Sequence, residues 1–310
     1  MSEALGLPTG VTVFERGWLS SNNILFVGDE GSALVDSGYG SHAGQTVALV
    51  QRALGGRTLD ELLSTHLHSD HCGGNAALQA AYPGLKTLIP PGHADAVAHW
   101  DEDVLTFEAT GQRCDRFRFD ALLQPGSEHR LGGSAWQVHA APGHDPHSVI
   151  LFEPVSRTLI SADALWEGGF GVVFPELEGD AAFDEVAATL DVIEKLAPRI
   201  VIPGHGPVFE GKARVAAALS RARSRLSSYV QDPKRHAAHA MKVLIKFKLL
   251  EWQSISEPDF ADWAERTPYF SLVHTRHFAP GDRREWLESL LAELERSQAI
   301  GRSGGTIFNV

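Results

Sequence analysis

Six positions, His66-Leu-His-Ser-Asp-His71, hold four side chains of metal-ligand type, with Gly73-Gly74 just behind them. In extended chain, residues two apart project to the same side, so His66 and His68 can grip one ion together. The loop then turns, and Asp70 with His71 face a second ion. Gly73-Gly74 let the backbone turn tightly behind the ligands without side-chain clash. The bland alternative is a solvated polar loop, and the density of ligand types weighs against it. Two-metal hydrolases need ligands on both ions and a carboxylate to bridge them, holding the metals about 3.5–4 Å apart. Three further pieces supply these: His144 in PGHD, Asp163 in SADAL and His205 in PGHG.

Strands and helices alternate around these clusters. Residues 11–14 and 23–27 read as strands, 28–31 as a hairpin turn and 32–35 as the return strand. Residues 43–54 and 75–81 have helical spacing, the second run stopped by Pro83-Gly84. Residues 86–89, 136–139, 149–152, 158–160 and 199–202 read as strands, and 184–197 as an amphipathic helix closed by Pro198. The Gly-rich stretch 166–175 is expected to be a mobile loop. Each polar cluster sits just past a strand end, where α/β enzymes place their chemistry. After Gly211 the texture changes: helix over 212–250 with a break at Pro233, a Trp- and Pro-punctuated stretch, helix over 282–296, then two short strands around a Gly-rich turn. The expected organisation is an α/β domain over residues 1–210 and a smaller, mainly helical, winged-helix-like domain over 211–310.

At 310 residues the chain is long for one compact core and comfortable for two. Only two cysteines are present, Cys72 and Cys114, which excludes a disulfide framework or a Cys-rich zinc finger. Cys72 reads as a small buried residue, Cys114 as incidental. The 15 histidines, several in clusters, are ligands suited to catalytic zinc. No stretch is apolar for long enough to span a bilayer. The start, MSEALGLPTG, lacks the basic-then-apolar pattern of a secretory signal, which favours the cytoplasm. Net charge is −12, but residues 1–210 carry 11 Lys+Arg against 28 Asp+Glu, and 211–310 carry 16 against 11.

The ordered pattern HxHxDH, GH, SAD, PGHG resembles the metallo-β-lactamase superfamily over about residues 11–210. It is most similar to the glyoxalase II-like and lactamase-β-2-like members. The run from Ser161 through GGFGVVFP to PGHGPVF resembles the latter branch, which carries a C-terminal winged-helix-like domain. The resemblance implies an αββα sandwich with two divalent ions at one edge, zinc first, with iron or manganese as alternatives. It implies His66, His68 and His144 on the first metal, Asp70, His71 and His205 on the second, and Asp163 between them. Asp36, in Val-Asp-Ser-Gly, matches a family position near the metals and reads either as an acceptor for a ligand histidine or as a turn cap. Where the family often has GHTPGS, this chain has Gly143-His-Asp-Pro-His-Ser148, so Asp145 and His147 alter the substrate rim and leave the ligand in place. His93, His99, His236, His239, His274 and His277 read as surface or structural residues.

The expected activity is hydrolysis. The two ions lower the pKa of a bridging water, the hydroxide attacks a carbonyl, and Asp70, as catalytic residue, holds it in line together with Asp163. No donor to the leaving group is visible. A thiolate leaves without one and an amide needs one, which favours thioesters or lactones over β-lactams. Nine Lys/Arg between Arg214 and Lys248, with Asp232 as the single acid, read either as a strip that holds an anionic substrate or as a solvated helix face. The acidity of residues 1–210 opposes a general nucleic-acid binder. The expected partner is an anionic small molecule, with no membrane and an open oligomeric state. Three competing readings remain. One is an endoribonuclease of the lactamase-β-2-like type. Another is an iron-dependent persulfide dioxygenase, opposed by the full second-metal set. The third is a non-catalytic regulator, opposed by the seven intact ligands.

Overall fold

The computed structural model describes residues 6–310; the reading of the N-terminus rests partly on residues 1–5, outside the described residues. Twelve strands form two six-stranded sheets. The first runs β1 (Val11–Phe14), β2 (Asn23–Gly28), β3 (Gly31–Val35), β4 (Glu61–Leu63), β5 (Lys86–Ile89) and β6 (Ala121–Leu122), in that spatial order. The second contains β7 (Glu128–Leu131), β8 (Ser134–Ala140), β9 (Val149–Glu153), β10 (Thr158–Ala162), β11 (Ile200–Pro203) and β12 (Phe209–Glu210), in the same serial order. Hairpins join the antiparallel pairs, and β3, β4 and β5 are parallel because helices cross between them.

Side-chain alternation decides what each face meets. On β2, Ile24 and Phe26 point between the sheets, while Leu25 points out. On β11, Ile200 and Ile202 point inward and Val201 outward. Both faces are apolar because both are covered, as a two-sheet layer with helices outside requires. The inner layer interdigitates around Trp136, fully buried and edge-on to Phe26 at 5.3 Å. Helices α1 (Ala43–Leu54), α2 (Ser69–Cys72), α3 (Asn75–Ala81), α4 (Ala94–His99), α5 (Phe174–Glu178), α6 (Phe183–Leu196) and α7 (Lys212–Gln231) follow in chain order. Helices α1 and α3 cover the first sheet through Val50, Leu54 and Leu78. Helices α6 and α7 cover the second through Val186, Leu190, Ala218 and Leu219. The result is the expected αββα sandwich.

Beyond it lie α8 (Pro233–Trp252), β13 (Ser254–Ser256), α9 (Glu257–Arg266), α10 (Pro268–Val273), α11 (Arg283–Arg296), β14 (Ile300–Ser303) and β15 (Thr306–Asn309). Helix, strand, helices and a terminal hairpin, with β15 central in a three-stranded sheet, make the expected winged-helix-like order. Its core joins Ala237, Met241, Leu244, Phe260, Phe270, Leu290 and Ile307. Pro233 breaks the long helical run, and Asp232 caps the second half by accepting from the Arg235 backbone N–H. Helix α7 belongs to the sandwich core by packing, although its sequence texture matches that of the C-terminal helices. No helix among the described residues is long and apolar enough to cross a membrane.

Candidate metal centre

Strand ends deliver the donors. Strand β4 ends at Leu63, and three and five residues further on the chain reaches His66 and His68. The short turn α2 then swings Asp70 and His71 round. Between Ile160 and Ala162 the register of β10 against β11 shifts, and Ala162 adopts a left-handed φ of 44°. This bulge turns the next residue, Asp163, inward. Strand β11 ends at Pro203 and delivers His205. Gly204 between them is required by close approach: a Cβ there would lie 2.2 Å from Asp163 Oδ1. His144 lies in the loop between β8 and β9.

The seven residues converge. Donor atoms of His66, His68 and His144 all fall within 4.8 Å of one another, as do those of His66, His71 and Asp163, and of Asp70, His71 and His205. Asp163 lies between the two halves, with oxygens 3.3 Å from His71 Nε2 and 3.3 Å from His144 Nε2, and 3.9 Å from His205 Nε2. Asp70 Oδ2 is 3.0 Å from His205 Nε2.

Several imidazoles are gripped from outside. Asp36 Oδ2 lies 2.8 Å from His71 Nδ1 and also accepts from the Thr65 hydroxyl at 2.8 Å, while its Oδ1 accepts from the Thr65 N–H. The alternatives for Asp36 thus resolve to acceptor for a site histidine, from a backbone φ of 58°. His144 Nδ1 bonds the Val172 carbonyl, and His66 Nδ1 is 3.1 Å from Thr65 Oγ1. A ring that donates outward from Nδ1 turns the lone pair of Nε2 inward. Among the described residues His66 Nε2 is buried without a hydrogen-bond partner, and His71 Nε2 meets only the Asp163 carboxylate, 3.3 Å away; an unmet buried donor or acceptor is costly. His68 Nδ1 and His144 Nε2 lie 2.8 Å apart, at hydrogen-bond distance, with both nitrogens turned to the same point. The donor chemistry, neutral imidazoles plus carboxylates, is that of a divalent-metal site.

The electrostatics divide the site. Burial, then the neighbouring His71, His68 and His144, pushes His66 well below its ordinary value, and burial with His144 pushes His68 down to about 4. Burial alone would lower His71 too, but Asp163, Asp36 and Asp70 outweigh it and raise it well above the usual range. Asp163 is held well below the carboxylate range, burial being overcome by His71 and His205.

Residues that sequence reasoning passed over complete the rim. Trp18 stacks on His205 at 5.5 Å and 12°, and Trp166 meets both rings edge-on while its indole N–H donates to Asp163 Oδ1 at 3.2 Å. Lone tryptophans in polar loops carry no sequence signal of this role. The stretch expected as a mobile loop is packed: Phe170, Val172 and Val173 are buried, and the Gly171 N–H donates to the Asp163 carbonyl. His147 turns away to sit edge-on to His93 at 4.5 Å, and Asp145 accepts from the His147 N–H. Cys72 is buried 3.8 Å from Cys114, each sulfur a small packed group.

The basic run does not act as one strip. Arg225, Lys242 and Lys246, with His239, line a cleft of about 970 Å³ that opens at Trp18, Trp166 and His205. Arg214 pairs with Glu167, Arg221 donates to the Glu167 carbonyl, and Arg223 pairs with Asp191 and Glu194 on the far face of α6. Lys248 is buried against Glu251 at 2.6 Å and donates to the Gly111 carbonyl. Replacing Lys248 by Met is expected to cost about 3 kcal/mol, because Glu251 keeps its charge and loses its nearest cation. Burial would raise the Glu251 carboxyl, but Lys248 and Arg113 outweigh it and hold it below its usual value. A depressed carboxylate stabilises above its unfolded pKa, about 4.3, and loses that contribution as pH falls through the folded value. Denaturant midpoints of the two proteins should therefore differ at neutral pH and approach each other in acid.

Comparison with known proteins agrees with this geometry. The family model described as the metallo-beta-lactamase superfamily matches residues 16–205. A hydroxyacylglutathione hydrolase of Brucella anthropi is 27% identical over 213 residues, covering 67% of this chain and 69% of that one. One from Stenotrophomonas maltophilia is 32% identical over 167 residues, 54% of this chain and 53% of its own length. A metallo-beta-lactamase family protein of Thermus thermophilus superposes with a TM-score of 0.57 at 19% identity, covering 98% of this chain and all of that one. A protein solved in a di-iron-bound form superposes at 0.54 with 28% identity, over 68% of this chain and 98% of that one. With its strand-end donors, its two-sheet sandwich and more than half its length matched, the chain belongs to the metallo-beta-lactamase superfamily.

Proposed function

We propose that the chain is a dinuclear metal hydrolase that cleaves a thioester or lactone of an anionic small molecule. The observation that carries this reading is the convergence of seven buried or half-buried imidazole and carboxylate donors, among them His66 Nε2, which has no hydrogen-bond partner among the described residues. His66, His68 and His144 would hold one ion, Asp70, His71 and His205 the other, and Asp163 would serve both. Zinc is the first candidate, with iron and manganese as alternatives, and the relative solved with two irons supports a two-metal site. Such ions supply Lewis acidity and a hydroxide nucleophile near neutral pH.

The chain's own residues do the rest. Asp70, ionised because His71 and His205 overcome its burial, accepts the hydrogen bond that aims the nucleophile. Asp163 is fixed by the Trp166 indole. Trp18 and Trp166 wall the site against water on one side. A proton donor for an amine leaving group is the missing part. His239, which lines the cleft, is pushed down to about 4 by burial, Arg225 and Lys242, so it is neutral at pH 7. A thiolate leaves without such a donor, which supports the thioester reading, as does the likeness to hydroxyacylglutathione hydrolases. We further propose that the helical part that begins with α8 is the substrate-binding unit.

The test is turnover of a panel by metal-loaded protein: acyl-CoA, a glutathione thioester, a lactone, a cephalosporin and a short RNA. Hydrolysis of a thioester or lactone is expected; turnover confined to the cephalosporin or the RNA, or none at all, would overturn the reading. On the same panel Arg225→Glu should raise KM for anionic substrates roughly five- to tenfold at low salt, less at high salt, and spare neutral ones. Arg221→Glu, outside the cleft, is the control. Equal effects on charged and neutral substrates would remove the electrostatic role.

A further inference from the structure

One peptide unit links the C-terminal helices to the metal centre. The Val172 carbonyl accepts from His144 Nδ1, and the Val173 N–H donates to His236 Nε2 at 3.1 Å. Carbonyl and N–H belong to the same amide. His236, on the first turn of α8, is 2% exposed and held between Phe183, edge-on at 5.4 Å, and Tyr229 at 4.9 Å. The amide lies close over the ligand: a Cβ on the adjacent Gly171 would fall 2.4 Å from His144 Nδ1, and the Phe174 N–H donates back to the His144 carbonyl.

We propose that His236 is a positioning residue for His144, acting through the Val172–Val173 amide. This rests on the reading of His144 as a metal ligand. An amide whose N–H is hydrogen-bonded carries more negative charge on its oxygen, because linked hydrogen bonds polarise one another. The Val172 oxygen thereby holds the His144 Nδ1–H more firmly, which fixes the ring and makes Nε2 a better donor to a metal. Burial, then His239 and His277, pushes His236 down to about 3, so its Nε2 lone pair stays open to the amide across the neutral range. Packing alone would be met by an apolar side chain between Phe183 and Tyr229. A polar ring there meets an N–H that would otherwise be buried without an acceptor.

The experiment compares wild type, His236→Leu, His236→Gln and His144→Ala for zinc affinity by competition with a chromogenic chelator, and for the visible absorption of the cobalt(II)-loaded proteins. Leu removes the acceptor, and Gln restores one. His236→Leu is expected to release one of two ions roughly tenfold more readily and to shift the cobalt bands, with Gln recovering most of both. His236→Met is the second non-accepting variant should the Leu protein fail to fold. Non-accepting variants with unchanged affinities and cobalt bands, beside a His144→Ala that loses an ion, would overturn the relay alone. A His144→Ala with both affinities intact would overturn the ligand assignment and the relay with it. Equal loosening of both ions without rescue by Gln would reduce His236 to a packing residue and overturn the proposal.

Discussion

Asp70→Ala is expected to lower turnover by roughly a thousandfold or more while the fold persists. On the proposed reading the carboxylate has two tasks. One oxygen lies 3.0 Å from His205 Nε2, where it would donate to the second ion. The group also borders the open chamber beside His68, His144 and Trp166, where it can accept a proton-bearing nucleophile. Loss of a positioned acceptor of this kind costs about 10²–10⁴ in rate, and a weakened metal site adds to that. The scaffold should survive because α2 is tied down by main-chain bonds that Ala keeps: the Asp70 carbonyl accepts from the Ser21 N–H at 2.9 Å, and the His71 carbonyl from the Ser37 N–H at 2.7 Å. Circular dichroism, metal analysis and steady-state kinetics on one preparation decide the matter. Near-wild-type turnover with the metals in place would show that another group orients the nucleophile.

Most of the sandwich was legible because its elements are locally consistent. Residues 43–54 and 75–81 have an apolar helical face and are helices over those same residues. Strand β5 likewise matches residue for residue. The convergence of the seven candidate donors was legible for a related reason: they lie in short segments that follow the ends of β4, β8, β10 and β11, where local sequence dictates geometry. What was not legible depends on distant partners. The glycines of 166–175 suggested mobility, but Gly171 is there so that the chain can lie against His144. His236 looked structural because its acceptor role requires the Val173 N–H, 63 residues away. The basic run looked uniform because charge along a helix says nothing about which acid stands opposite. Arg223 found Asp191 and Glu194, Lys248 turned inward to Glu251, and Arg225 was left facing the cleft. Short edge strands such as β6 and β12, two residues each, lack the length to show alternation.

The purified protein is expected to carry close to two divalent ions per chain, falling toward one in His205→Ala, with a marked loss of thermal stability on chelation. The argument is one of charge as well as geometry. Asp36, Asp70 and Asp163 crowd around His71 with its side chain fully buried. Three carboxylates without cations repel one another at low dielectric and draw protons onto imidazoles that are otherwise set to be neutral donors. Two divalent cations with one hydroxide balance the three negative charges, whereas a single ion leaves one half of the cluster uncompensated. Because the donors converge only in the folded chain, metal binding stabilises it by mass action, about 4 kcal/mol for each ion present at a thousand times its Kd. His205→Ala removes one donor of the Asp70–His71–His205 group and leaves His66, His68 and His144 complete. One ion should therefore remain, together with part of the stability. Metal analysis and thermal melts with and without a chelator measure both quantities. A single ion per wild-type chain under metal-replete conditions would sink the two-metal reading, and a melt indifferent to chelation would mean that the buried carboxylates are compensated by protons instead.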